Sequence, residues 1–380
     1  MKKKLIRIST VPMSLSGLLT GQLNFMTTYF EVVGISSKDG NRLQNVNNQE
    51  KIRTIPVEIK RQISPLNDLI TVYQLYKVLK KEKPFIVHSL TPKAGLLGMI
   101  ASKLAGVPNR LHTFTGLIFP TKQGFIKQIL IATDKILCYC ATEIYPEGQG
   151  IKNDLINYKI TSKPLKIIGN GNVNGININH FNPENFGFDF ISNLKKKINI
   201  SKEDYVFVFI GRLVKDKGIN ELITAFNELH PHLDNAKLLL VGDYEHDLDP
   251  LEKDTIDIIN TNKSIISTGW VDDVRPYFAI SNILVFPSYR EGFPNVVMQA
   301  GAMGLPSIVT DINGANEIII PNENGIIIPS MDKDELKDAM LKFYNKDIVI
   351  DSNTCRALIV NRYEQSILWK AQLHEYQTLK

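Results

Sequence analysis

Three cysteines in 380 residues, Cys138, Cys140 and Cys355, are too few and too odd in number for a disulfide framework. Two of them lie in the apolar run I-L-C-Y-C-A and read as small buried residues. No further Cys or His stands at the spacing a zinc site needs. Nowhere does an apolar run reach the length of a membrane-spanning helix, about 18 residues. The basic start M-K-K-K-L-I-R-I-S runs about five residues before Thr, Pro and Ser intervene, too short for a secretory leader and the right length for a first strand. Charge of either sign is scarce in excess: the net +5 permits contact with an anionic membrane or a phosphorylated substrate, demands neither, and calls for no nucleic-acid partner. Short-period repeats are absent, and no G-x-G-x-x-G follows the first strand, which argues against a nicotinamide dehydrogenase. What remains is an ordinary soluble composition, 43% hydrophobic and 22% charged, enough for two or three packed domains and suited to a reducing cytoplasm.

Strand-like and helical runs alternate along the whole chain, which predicts α/β layering with parallel sheets. In the first half, strands are expected at Leu5–Ser9, Phe30–Ile35, Phe85–Ser89 and Asn109–Thr113, with Leu165–Ile168 extended. An apolar helix is expected to end near Tyr29, and Leu66, Leu69, Ile70 and Tyr73 mark an amphipathic helix. The Asn-rich stretch 38–51 reads as a surface loop. Gly17 and Gly21, in the turn and helix after the first strand, are candidates for close approach of backbone to a ligand. His88 and His112 fall near the carboxyl ends of neighbouring strands, as functional groups or as hydrogen-bonded structural imidazoles. The stretch G-N-G-N-V-N-G-I-N is a linker. It divides the chain into residues 1–175, 176–362 and a final helix, 363–380, expected to return towards the first domain.

The second half carries the chemistry. Strands are expected at Tyr205–Ile210, Lys237–Val241, Ser264–Thr268, Ile283–Phe286, Ser307–Thr310 and Gly325–Ile328. The first of them runs into G-R-L-V-K-D-K-G. Gly211 turns the chain, Arg212 emerges at the strand's carboxyl end, and Lys217–Gly218 opens a helix. Point charge, forked donors and free helix N–H groups then converge, an arrangement suited to a diphosphate. The fourth runs into P-S-Y-R-E-G-F-P-N, which sets Glu291 in a turn at a strand's carboxyl end, where open α/β sheets bind ligands. Pro294 stands near the first helical position, and Gln299 projects from the helix that follows. Two D-x-D strings, Asp247–Asp249 and Asp332–Asp334, read as turns or caps rather than metal ligands.

Taken together, G-R-L-V-K-D-K-G, F-P-S-Y-R-E-G-F-P-N, and G-L-P-S-I-V-T-D followed by G-A-N-E-I-I resemble the retaining GT-B glycosyltransferases of the group 4 family. The first half, with V-H-S-L-T-P-K-A-G and H-T-F-T-G, is similar to the subgroup that builds capsule, O-antigen and other lipid-linked surface glycans. The resemblance implies two Rossmann-like domains facing each other across a cleft, residues 1–175 on the acceptor side and 176–362 binding the nucleotide sugar. It also implies a nucleotide-sugar donor, favouring UDP, a polyprenyl-diphosphate-linked saccharide acceptor, and work at the cytoplasmic face of the membrane. It implies no metal and no other cofactor. Carried over by position, Arg212 and Lys217 neutralise the donor diphosphate and Glu291 contacts the donor sugar. Gly211, Phe293, Pro294, Asn295 and Val296 line the donor loops. The family's second glutamate is Gln299 here, whose amide can still bond two ribose hydroxyls. A histidine common before the first-domain glycine is replaced by Thr115, ahead of Gly116; the Thr115 hydroxyl can still bond a sugar hydroxyl, and the nearest histidine candidate is His112. Rival readings are a sugar-nucleotide 2-epimerase and a non-catalytic sugar-nucleotide-binding subunit.

Overall fold

The computed structural model describes residues 2–62, 64–245 and 249–380, and two compact units account for them. The first comprises Met1–Gly175 with Gln365–Lys380, the second Ile176–Glu364.

The amino-terminal unit is built on six strands: β1 Lys4–Ile8, β2 Glu31–Ser36, β3 Arg53–Pro56, β4 Ile86–Leu90, β5 Asn109–Phe114 and β6 Glu143–Pro146. They pair in parallel in the order β3-β2-β1-β4-β5-β6. β1 and β4 are buried almost throughout, as parallel strands covered on both faces are, and so enclose Arg7, His88 and Ser89 along with their apolar residues. Helices α1 Pro12–Leu18, α2 Gln22–Met26, α3 Arg42–Glu50, α4 Pro65–Glu82, α5 Pro92–Ala105, α6 Gly124–Cys140 and α7 Gln149–Asn157 connect them.

Several expectations in this half need correction. The single helix ending near Tyr29 is two, α1 and α2, because Gly21 adopts φ +77° at the break. An added Cβ there would meet the Trp369 ring at 2.8 Å. Residues 38–51 are not a loop, since α3 fills most of them. Leu43 and Val46 turn inward, and the buried Glu50 carboxylate accepts from the Gly21 and Asn24 N–H groups. The poor helix propensity of the asparagines is overridden by burial of this one face. β3 was not foreseen: its burial pattern offers no apolar run to read. Leu165–Ile168 contributes only one bridge, from Leu165 to Ile144. Finally, Leu66, Leu69, Ile70 and Tyr73 do lie on a helix, α4, but they face solvent, while Thr71, Leu75 and Leu79 are the buried residues.

The carboxyl-terminal unit repeats the plan. Its strands are β7 Tyr205–Ile210, β8 Ala236–Val241, β9 Ile265–Ser267, β10 Ile283–Phe286, β11 Ser307–Thr310 and β12 Gly325–Ile328, parallel in the order β12-β11-β10-β7-β8-β9. Its helices are α8 Phe188–Lys197, α9 Ile219–Leu229, α10 Lys253–Thr261, α11 Arg275–Ala279, α12 Asn295–Ala302, α13 Ala315–Ile318, α14 Lys333–Tyr344 and α15 Ser352–Tyr363. One large core, from Ile176 to Tyr363, packs on both faces of the sheet. The last helix, α16 Gln365–Thr378, belongs to the amino-terminal unit. There the Tyr376 hydroxyl meets the buried Arg7 and His88 at 2.7 Å each.

The three cysteines are buried and free. Asp332 caps α14 by accepting from the Glu335 N–H. Asp247 of the other D-x-D string lies outside the described residues. Asp249 accepts from the Asp216 N–H at 2.7 Å and so braces the loop after β7.

Candidate functional site

Strand order changes direction between β7 and β10: from β7 the sheet proceeds one way to β8 and β9, from β10 the other way to β11 and β12. Loops leaving the carboxyl ends of such a pair of strands diverge to opposite faces and leave a crevice for a ligand. The loop after β7 carries Gly211, Arg212 and Lys217; the loop after β10 carries Glu291. The two stretches most suspected from sequence are therefore neighbours.

They are stitched together by backbone. The Tyr289 N–H donates to the Asp216 carbonyl at 2.9 Å, and Gly218 sits directly against the Pro287 carbonyl. Gly218 has φ +70°, and a Cβ there would lie 2.1 Å from that oxygen, so only glycine fits. It also caps α9, whose first N–H groups open onto the loop. From the far side, Gly314 packs against Gly292 and Phe293, where a Cβ would come within 2.3 Å of the Gly292 carbonyl. Arg290 pairs with Asp216 at 2.7 Å. Thr310 donates its hydroxyl to the Ser288 carbonyl.

Within this frame the Lys217 ammonium and the Glu291 carboxylate form an ion pair, each side chain less than one-fifth exposed. The buried Ser288 hydroxyl donates to the same carboxylate oxygen at 3.0 Å. An ammonium has three donors, and the Glu291 contact uses one, so the others remain for a phosphate oxygen. Arg212 is more exposed and pairs with Glu245 at the surface, again with donors to spare. Phe293 is buried against Tyr363, ring centroids 5.5 Å apart, and Pro294 is the N-cap of α12 rather than its first residue. Asn295, Val296 and Gln299 follow on α12. Gln299 is one turn beyond Asn295 on the same face, half-buried, with no hydrogen bond from its carboxamide to any described residue.

The remaining candidates belong to the amino-terminal unit. Thr115 is half-buried just beyond β5, ahead of Gly116 with φ +140°. Gly17 lies in α1, exposed, with no atom near its Cβ position. His112 is not at a surface. It is buried, its Nδ1 is 2.8 Å from the Ser89 hydroxyl, and its ring packs edge-on against Phe114. Burial pushes its pKa down to about 3, so the ring is neutral near pH 7. His88 is likewise enclosed, held by Tyr376 and by Thr113 at 2.8 Å, and lowered by burial first and by Arg7 and His112 after it. Sequence reasoning missed Ser288 and Gly314. The small residue just past an apolar strand hinted at the first, and nothing in the local pattern marks the second. Among the described residues no group of three or more His, Cys, Asp or Glu side chains is placed to hold a metal ion.

Two doubly wound parallel units in one chain, the second carrying cations and a carboxylate at its switch point, have the GT-B fold of glycosyltransferases. A glycosyltransferase from Rickettsia africae ESF-5 superposes over 100% of the chain and 98% of its own, with TM-score 0.80 at 18% identity. Anabaena Alr3699/HepE, solved in complex with UDP, gives TM-score 0.80 at 17% identity over 99% of the chain and 100% of its own. The Glycosyl transferases group 1 model matches residues 190–365, and the Glycosyl transferase 4-like model matches 19–147. The capsular polysaccharide biosynthesis glycosyltransferase CapM of Staphylococcus aureus is 31% identical over 380 residues, 99% of this chain and 97% of the relative. The Escherichia coli UDP-Gal:alpha-D-GlcNAc-diphosphoundecaprenol alpha-1,3-galactosyltransferase is 32% identical over 312 residues, 80% of this chain and 78% of the relative. The chain belongs to this glycosyltransferase family.

Proposed function

We propose that the protein transfers a hexose or N-acetylhexosamine from a UDP-sugar to a hydroxyl of a lipid-linked saccharide, in the assembly of a bacterial surface polysaccharide. The Lys217–Glu291 pair at the switch point, with Arg212 on the same loop, carries this reading. A nucleoside diphosphate leaving group develops negative charge as the bond from sugar C1 to phosphate oxygen breaks. Lys217, Arg212 and the α9 N–H groups offer fixed positive charge where that happens, without needing a metal. Glu291, held by Lys217 and Ser288, orients a donor-sugar hydroxyl. The acceptor oxygen bonds to C1 from the leaving-group face, and its proton passes to the departing phosphate oxygen, so configuration is retained. The names of the S. aureus and E. coli relatives, with capsule, UDP-Gal and a diphosphoundecaprenol-linked acceptor, support the choice of substrates.

UDP is expected to raise the thermal midpoint of the purified protein more than GDP or ADP. A stronger response to either of those would replace the proposed nucleotide. The product's anomeric configuration, read by NMR, tests retention. For Gln299, a single amide facing ribose predicts that Gln299→Glu leaves transfer intact or tightens UDP binding up to about tenfold, by adding a charge-assisted hydrogen bond. Complete loss of transfer would mean that the neutral amide is required.

The same reading places the protein peripherally on the inner membrane face. Among the described residues, no helix is long and apolar enough to cross a membrane. Exposed Leu66, Leu69, Ile70 and Tyr73 on α4 share the amino-terminal unit with exposed Phe125 and Ile126 at the start of α6. Lys77, Lys80 and Lys81 continue α4. Apolar side chains with flanking cations suit an anionic bilayer. Anionic vesicles at low salt should float the wild type, and Leu69→Asp with Ile70→Asp should abolish flotation while leaving the thermal midpoint unchanged. Equal flotation of both proteins would dismiss this surface.

A further inference from the structure

Arg7 lies in the middle of β1, opposite His88 on β4, and is fully buried. Burial lowers its pKa, opposed by the Tyr376 hydroxyl and by no carboxylate. A guanidinium keeps its charge all the same. Among the described residues the buried acids of this unit are engaged elsewhere: Glu50 with the Gly21 and Asn24 N–H groups, Glu147 with Asn172, and Glu375 with Lys166 at 2.5 Å.

The Arg7 Nη1 donates to the Gln22 carboxamide oxygen at 3.0 Å and to the Tyr376 hydroxyl at 2.7 Å. That uses two of the five N–H groups of a guanidinium. Those on Nε and Nη2 meet no partner among the described residues. The two nitrogens form one edge of the guanidinium, which offers parallel N–H groups and grips an anion with two hydrogen bonds. Gln372, also buried, stands one turn before Tyr376 on the same face of α16, and its Nε2 likewise has no partner among the described residues. Among the described residues of this unit, the buried side-chain nitrogens and oxygens without a partner are these three, and all three are donors.

The acceptors around Arg7 are already committed. Gln22 is held at its other end, where Nε2 donates to the Val173 carbonyl at 2.9 Å. Burial, and after it Arg7 and His112, lowers the His88 pKa and leaves that ring neutral. The Tyr376 hydroxyl, accepting from Arg7, therefore donates to His88 Nδ1 at 2.7 Å, and His88 Nε2 donates to Thr113 at 2.8 Å. Buried donors without an acceptor are costly, and here they surround an uncompensated charge. Water would accept their hydrogen bonds and leave the charge as it is. A monovalent anion answers both needs, whereas a divalent one exceeds the single charge of the guanidinium.

We propose that Arg7 and Gln372 hold a buried chloride, or a halide of like size, between the amino-terminal sheet and α16, with the guanidinium edge giving two hydrogen bonds and the Gln372 amide a third. The ion acts as a clasp. α16 follows the carboxyl-terminal unit in sequence but packs in the amino-terminal one, and the anion ties this returning helix to β1. By mass action the folded state gains as the anion concentration rises.

The test compares the full chain in sodium chloride, sodium bromide and sodium gluconate at equal ionic strength. Chloride and bromide should raise the thermal midpoint over gluconate by about 3–5 °C at tenfold excess over the dissociation constant, and the gain should saturate. Amide exchange in α16 should slow with it, and amides of α9, in the other unit, should not respond. Gln372→Glu puts a carboxylate in place of the amide. It should raise the midpoint in gluconate to at least the wild-type value in chloride, and abolish the halide response. Arg7→Leu should also be insensitive to halide, and if it fails to fold, Gln372→Glu alone decides. In crystals soaked in bromide, anomalous density should stand in contact with Arg7 Nε and Nη2. A wild-type midpoint equal in all three salts overturns the proposal, with water or the Gln372 oxygen then meeting Arg7. An equal halide response in the wild type and in Gln372→Glu overturns it as a general salt effect. So does bromide density at other places and none at Arg7.

Discussion

Lys217→Ala is expected to lower kcat/KM for transfer by about 10²–10³, the effect of removing one pre-positioned group from developing charge in an enclosed site. The substitution does two things at once. It withdraws the ammonium that, on the proposed reading, faces the leaving diphosphate, and it leaves the Glu291 carboxylate, less than one-fifth exposed, with the Ser288 hydroxyl. Arg212→Ala should cost less, about tenfold, because the guanidinium is more than half exposed and its charge is better screened. Steady-state kinetics with donor and acceptor varied separately distinguish the two: Lys217→Ala should act mainly on kcat, Arg212→Ala mainly on the donor KM. If Lys217→Ala transfers at nearly the wild-type rate, the diphosphate is held elsewhere and the site assignment is wrong.

Gly218→Ala should be as damaging, by another route. At φ +70° a side chain costs about 1–2 kcal/mol, and a methyl group 2.1 Å from the Pro287 carbonyl forces the loops after β7 and β10 apart. Overpacking of that kind adds about 1–3 kcal/mol. The separation falls beside Lys217, so UDP binding should weaken together with the thermal midpoint. Gly17→Ala is the control: Gly17 sits in α1 with open space at its Cβ position, and alanine there should be neutral or stabilising by about 0.5–1 kcal/mol. A Gly218→Ala protein with wild-type stability and UDP affinity would refute the steric argument.

The α/β class and the six strands of the second half were legible because each is a short, largely apolar run; β7, β10 and β11 are buried almost throughout and end in a glycine, a proline and a charged turn respectively. The amino-terminal unit was harder. β3 and α3 owe their existence to neighbours rather than to pattern: β3 pairs with β2 along its whole length, and Glu50 on α3 satisfies N–H groups of α2 and of Gly21. α4 misled in the opposite way. Its clearest apolar stripe is exposed, so periodicity identified the helix and assigned the wrong face to the core. The histidines show the same limit. A strand end predicts proximity to a ligand edge, but whether an imidazole points into the crevice or into the core depends on what packs over it. Gly95 allows α5 to close over His112, where even a Cβ would come within 2.4 Å of the ring.

Sequence by itself determined which groups reach the carboxyl end of the second sheet: Arg212 and Lys217 just after one strand, Glu291 just after another, and an amide at Gln299 on the helix that follows. Strand–turn–helix geometry is local and leaves little choice. Tertiary structure alone decided that β7 and β10 are adjacent at the reversal of strand order, which brings Lys217 to Glu291 across 74 residues of chain. It also decided that His112 is sealed beneath α5. Pairing between distant strands and the direction of a half-buried side chain are set by long-range packing, which no window of sequence contains.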